Sequence, residues 1–76
     1  MTTLAIVRRG KDQELRVSLE KFRGRDRLDV RVWFRGEDGK MHPTRQGCFV
    51  KPRELPDLCV GLNKALHAVS SKRGAS

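Results

Sequence analysis

Apolar and polar residues alternate along two neighbouring stretches of this chain. Leu15, Val17 and Leu19 share one side of an extended segment, and Leu28, Val30, Val32 and Phe34 share one side of a second. A period of two over such lengths predicts an antiparallel pair of half-buried strands, Glu14 to Lys21 and Leu28 to Arg35. Phe22-Arg23-Gly24-Arg25 supplies the turn, with Gly24 free to take a positive φ and the two arginines projecting from the bend. Asp38-Gly39, within Gly36 to Gly39, ends the second strand with a hairpin signal. Upstream, Leu4 to Val7 predicts a short edge strand, followed by the basic loop Arg8-Arg9-Gly10-Lys11. Downstream, Lys40 to Gly47 is polar and held by Pro43, which predicts a loop or an irregular edge, and Cys48-Phe49-Val50 predicts the last strand.

From Pro52 the period changes. Leu55, Leu58, Cys59, Leu62, Leu66 and Val69 follow steps of three and four, a helical stripe. Asp57 near its start and Lys64 near its end suit the helix dipole. Pro52 fits a first helical position, and Pro56 places the regular helix after a single loose turn. Gly61 weakens the middle by about 1 kcal/mol relative to Ala, so the helix depends on what it contacts. The stripe is expected to cover one face of the sheet, whose inward set is Val17, Leu19, Leu28, Val30, Val32 and Phe49. Val60 and Ala65 widen the apolar sector beyond that need, which predicts a homodimer through Leu55, Leu58, Cys59, Leu62, Leu66 and Val69. Organisation follows: residues 1–10 as an edge strand and basic loop, 11–69 as the α+β domain, and Ser70 to Ser76 as a flexible basic tail.

The other side of the two strands changes the picture. It carries Arg16, Ser18, Glu20 and Phe22, then Arg27, Asp29, Arg31, Trp33 and Arg35. Rings interleaved with arginines, on a face that strands ordinarily give to water, suggest a surface that stacks flat groups and neutralises phosphates. Phe22 and Trp33 could instead cover a second layer or a subunit contact; the number of interleaved arginines favours the binding surface. Seventeen Lys and Arg against nine Asp and Glu give a net charge of +8. Such a balance points to a polyanionic partner, nucleic acid before membrane, and no basic amphipathic helix with bulky aromatics supports the latter. At 76 residues and 37% hydrophobic, the chain is one small domain. A domain of this size buries roughly 60% of its unfolded surface and gains from self-association.

Other chemistry is sparse. His42, Cys48, Cys59 and His67 are separated by five, ten and seven residues, which fits no zinc-finger spacing, and both thiols read as structural. Serines lack a neighbouring histidine, acids are scattered, and no glycine-rich loop is built to cradle phosphate, so neither enzyme nor cofactor is expected. Met1 to Val7 lacks the basic start of a secretory signal, and no run approaches the roughly 20 apolar residues of a membrane span. The expected location is the cytoplasm, with the nucleoid, in a prokaryote, or the nucleus in a eukaryote.

Val17-Ser18-Leu19, Phe22-Arg23-Gly24-Arg25, Leu28-Asp29-Val30-Arg31, the aromatic pair Trp33-Phe34, Gly39, Met41 to Gly47, and Pro52 stand in an order that resembles the transcriptional positive cofactor four family. These are single-stranded-DNA-binding coactivator domains. The resemblance runs without a gap from Val17 to Leu58, and Met41 to Gly47 is its most specific part. It implies a strongly curved four-stranded antiparallel sheet, a C-terminal helix that forms the dimer, and single strands or bubbles lying across the sheet with bases stacked on aromatics. RNA polymerase or transcription factors would be its protein partners. The family's stacking aromatics fall on Phe22 and Phe34, its turn cations on Arg23 and Arg25, its strand arginine on Arg31, and its loop cations on His42 and Arg45. Arg16 and Trp33 join this set from the alternation alone. Gln46 replaces a loop cation, Leu55 a tryptophan, and Asp26 and Arg27 occupy positions that are usually apolar. The Ser- and Lys-rich segment that precedes the domain in eukaryotic members has no counterpart here, which favours a prokaryotic or phage source. Alternation puts Trp33 with the arginines and Phe34 with the core, whereas the resemblance assigns stacking to Phe34; a bulge between Val30 and Phe34 would reconcile them. Two other readings compete: an RNA-associated basic module, and a polymerase-binding adaptor with incidental DNA affinity.

Overall fold

The hairpin forms where the alternation is strongest. In the computed structural model, which describes residues 1–74 (side chains to Ser71), β2 is Gln13–Phe22 and β3 is Arg25–Arg35. Arg23 and Gly24 between them have φ of 55° and 76°. Two positive values match the right-handed twist of the flanking strands, which is why a glycine stands in this turn. The register then runs unbroken from Phe22 opposite Arg25 to Gln13 opposite Phe34. β1, Thr2–Arg8, pairs antiparallel with β2, and β4, Met41–Val50, pairs antiparallel with β3, giving an open sheet in the order β1-β2-β3-β4.

β4 decides between two expectations. Lys40 to Gly47 was expected as a loop or an irregular edge, and the edge holds: Met41 through Gly47 belong to an outer strand whose register breaks midway. Pro43 is tolerated because β4 is the outer strand and because the ladder breaks beside it. Trp33 faces Pro43 while Arg31 faces Gly47, so β4 carries two extra residues opposite Val32. Thr44 repairs the gap: its hydroxyl donates to the Val32 carbonyl at 2.7 Å, and its own carbonyl accepts from Arg31 Nη1 at 2.9 Å. Because the insertion is even, side chains above and below it keep the same faces. The bulge therefore lies in β4 and not in β3, and Phe34 stays on the side of Val32.

Those two faces differ in kind. Leu28, Val32 and Val50 are buried on one, with Leu15, Val17, Leu19 and Val30 half-buried around them. Phe49 was expected among this inward set; it lies instead opposite Asp29 on the other face and is 48% exposed. That other face buries Glu14, Ser18 and Asp29, polar residues lying under arginines and rings.

After β4 a 3-10 turn, Pro52–Glu54, leads into α1, Leu55–Gly74. The Lys51 N–H donates to the Glu54 carboxylate at 2.8 Å, and Pro52 supplies the fixed φ of a first turn. Helical geometry continues past Val69, so Ser70 to Gly74, expected as a tail, are helical; residues 75–76 lie outside the described residues. The helix was expected to cover the sheet and does not. Among the described residues its main contact is with the 3-10 turn, and Leu62 and Leu66 are 61% and 62% exposed. No described helix is long and apolar enough to cross a membrane.

Gly47 tests the close approach of β4 to β3. A Cβ there would collide with the Val30 carbonyl and come within 2.8 Å of Arg31 Cα, both rigid backbone. Gly47→Ala is expected to lose about 1–3 kcal/mol of stability, the usual cost of overpacking. Chemical denaturation followed by circular dichroism measures it, and an unchanged midpoint would refute the contact.

Candidate nucleic-acid interface

Even-numbered residues of β2 and odd-numbered residues of β3 share the polar face, because the two-residue turn fixes their pairing. Arg16 thus lies directly opposite Arg31, Glu20 opposite Arg27, and Glu14 opposite Trp33. Like charges set opposite one another destabilise a sheet unless each finds a partner. Both do, along their own strands: Arg16 Nε donates to Glu14 at 2.8 Å, and Arg31 Nε donates to Asp29 at 3.0 Å. Arg27 Nε donates across the hairpin to Glu20 at 2.5 Å, and Arg8 reaches Glu14 at 3.1 Å.

Held in this way, the guanidinium groups lie against rings. Arg16 sits 4.1 Å from the centre of Trp33, and Arg27 sits 3.6 Å from Phe49 and 4.1 Å from Phe22. Arg31 and Arg23 approach Phe49 and Phe22 more loosely, at 5.1 and 5.2 Å. Two grooves cross this face. The larger, 810 Å³, runs past Phe22, Arg25, Arg27 and Phe49 to Lys51 and Arg53. The smaller, 450 Å³, runs past Phe49, Arg27 and Arg31 to Trp33, Thr44 and Arg45. Flat cation–ring surfaces beside open grooves suit planar, negatively charged ligands.

Of the residues expected at a binding surface, Arg16, Phe22, Arg31 and Trp33 share this face. Arg23 and Arg25 flank it at the hairpin end, and Arg45 projects from the bulged part of β4 into the smaller groove. These last three have no ion-pair partner among the described residues. Phe34 and His42 pair with each other across β3 and β4 on the opposite face. His42 Nε2–H there donates to the Asp38 carboxylate at 2.9 Å, and Asp38, bound first by the Lys40 N–H and then by His42, is held below the ordinary carboxylate range. The expected dimer residues lie on α1, whose main contact among the described residues is with the 3-10 turn and not with the sheet.

Phe49 and Arg27 escaped the sequence-based site. The signal for Arg27 was present, since a turn centred on Arg23-Gly24 puts Glu20 opposite it. Phe49 could have been found from Val50: with Val50 inward, alternation sends its neighbour to the other face. Leaving Lys40 to Gly47 as a loop or an irregular edge hid that step. Among the described residues no cluster of His, Cys, Asp and Glu is placed to hold a metal ion.

The family model described as Transcriptional Coactivator p15 (PC4) matches residues 10–60, which include β2, β3, β4 and the start of α1. Crystal structures of a PC4 homolog from Burkholderia pseudomallei K96243, in orthorhombic and tetragonal forms, align at TM-score 0.78 and 38% identity. Each alignment covers 84% of this chain and, respectively, 86% and 94% of that one. A bacteriophage T5 homolog of the eukaryotic transcription coactivator PC4, implicated in recombination-dependent DNA replication, aligns at TM-score 0.63 and 18% identity. That alignment spans 93% of this chain and 77% of the phage protein and is a likeness of fold. No curated protein sequence matches the chain significantly.

Glu14 anchors one end of the face and offers a test. Hydrogen bonds from Arg16, and then from Arg8, hold its carboxyl below the ordinary value of 4.5 although it is buried. A carboxyl with a lower pKa in the folded state stabilises the fold above its unfolded pKa, and that stabilisation is lost as pH falls through the folded value. Glu14→Gln is therefore expected to melt below the parent at pH 7, with the gap narrowing as pH falls below the ordinary carboxylate range through the lowered folded value. Thermal melts across that acid range measure this; a gap that does not narrow would mean the ion pairs contribute nothing.

Proposed function

Because the chain belongs to the transcriptional coactivator p15 (PC4) family, we propose that its ring-bearing face binds single-stranded DNA, largely without regard to sequence, and that it acts in transcription as a coactivator or regulator. One observation carries the reading: Phe22, Phe49 and Trp33 lie among arginines on one side of the sheet, beside grooves that cross β2, β3 and β4. Unpaired bases present faces that stack on such rings whatever their identity, whereas a duplex keeps its bases stacked inside. Arg23, Arg25 and Arg45 supply phosphate contacts without first breaking an ion pair. Arg16 and Arg31 join only by exchanging Glu14 and Asp29 for phosphate. In this reading the sheet is strongly curved, with its ring-bearing face turned toward the strand.

The same proposal includes a homodimer. A helix with Pro56 in its first turn and Gly61 in its interior has little stability of its own. Leu58, Leu62, Leu66 and Val69 nonetheless form an exposed apolar stripe along it. A second copy of α1, related by two-fold symmetry, buries that stripe on both subunits and brings two cationic faces into one particle.

Titration of fluorescent single-stranded, duplex and bubble oligonucleotides at several salt concentrations tests the binding mode. Single strands and bubbles are expected to bind more tightly than duplex. Log affinity against log salt is expected to have a slope of about −2 if Arg23, Arg25 and Arg45 contact phosphate, approaching about −3.5 if Arg16 and Arg31 also engage. A slope near zero, or a preference for duplex, would sink the proposal. For the dimer, the melting temperature is expected to rise with protein concentration. Leu62→Glu is expected to unfold the chain or leave a weakly binding monomer, as sedimentation equilibrium can show. A well-folded 8.7 kDa parent monomer at tens of micromolar that binds single strands tightly would exclude the dimer.

A further inference from the structure

Arg27 occupies the position of a flat ligand. It rises from β3, and the rings that touch its guanidinium come from the strands on either side, Phe22 from β2 and Phe49 from β4. Phe22 stands opposite Arg25 and Phe49 opposite Asp29, one on either side of Arg27 along β3, so both rings lean toward it. At 3.6 and 4.1 Å from the ring centres, the guanidinium lies within stacking distance of both. Both rings keep nearly half their surface exposed, 47% for Phe22 and 48% for Phe49, so they do not serve as core.

A second observation concerns the grooves. The 810 Å³ and 450 Å³ grooves are both lined by Arg27 and Phe49. Arg27 thus stands where the two meet, tied at its Nε to Glu20. If its side chain swings away, the two grooves join into one track from Trp33 to Phe22, with the paired rings open in the middle.

We propose that Phe22 and Phe49 form a slot for one nucleobase, that Arg27 fills the slot in the free protein, and that binding exchanges guanidinium for base. The freed Arg27 moves to a phosphate of the same strand. A base and a guanidinium are both planar and both stack on aromatic faces, so the exchange replaces like with like. It costs the Arg27–Glu20 ion pair and the two cation–ring contacts; it gains a base stacked on both sides and a phosphate contact. The inference rests on the single-strand reading above, to which it adds Phe49 and the exchange.

Single-strand affinity of Phe22→Ala, Phe49→Ala and the double variant tests the slot, with Phe→Leu versions as substitutes if an Ala variant melts early. One base held by two rings makes the losses redundant. Each single change is expected to weaken binding about 5- to 100-fold, and the double variant no more than a few-fold further. Multiplying losses would assign the rings to different bases and overturn the slot. Arg27→Ala tests the exchange: its salt slope is expected to be shallower by about 0.7, and at high salt it should bind more tightly than the parent because nothing must be displaced. Weaker binding than the parent at every salt concentration would mean that the guanidinium stays between the rings. A parent that fails to bind single strands overturns the function and the slot together, whereas a binding parent with multiplying ring losses overturns the slot alone.

Discussion

Two arginines facing each other across the central hairpin set the terms for the whole polar face. Arg16 and Arg31 are paired in register, a juxtaposition that destabilises a sheet unless nearby anions offset it. Glu14 and Asp29 provide these from the same strands and are themselves buried, at 6% and 5% exposure. Exposed ion pairs contribute little, but a buried carboxylate deprived of its partner is costly, so the arginines and carboxylates stabilise the sheet only as a set. The arrangement has a consequence for recognition. Guanidinium groups tied down at Nε lie flat, and flat groups fit against Trp33, Phe22 and Phe49. A stacking surface is thereby formed before any ligand arrives. Its cost is charge, since the carboxylates beneath offset much of the field, and the attraction for a polyanion falls to Arg23, Arg25 and Arg45 at the margins.

The chain by itself is a single thin layer. Its radius of gyration is 14.9 Å, against about 11 Å for a compact domain of this length. Among the described residues Leu28, Val32 and Val50 are the buried apolar ones, and none of them comes from α1, whose main contact is with the 3-10 turn. A fold of this kind ordinarily needs a second layer. Here the exposed stripe of α1 is the surface best suited to acquire one, and the proposed dimer follows from that deficit as much as from the family to which the chain belongs. On β4, the even bulge beside Pro43 serves the opposite end of the sheet. It lets Arg45 project into the groove while leaving Phe49 on the ring-bearing face.

Local chemistry made much of this legible in advance. Alternation located β2 and β3, Gly24 marked the turn between them, and the switch to steps of three and four marked α1, because each depends on neighbours within a few residues. The charge of the polar face and the partner class it favours were readable for the same reason. Tertiary structure decided the rest. Met41 to Gly47 forms a strand only because β3 offers a ladder and Thr44 bridges the gap left by Pro43; no local propensity signals that. Phe49 joins Phe22 around Arg27 only because β4 lies on the far side of β3. The helix stands clear of the sheet because its direction is set at the 3-10 turn, and an amphipathic stripe specifies that something must cover it without specifying what. Sequence determines which groups a strand or helix presents on each side; which groups meet across strands depends on pairings distant along the chain.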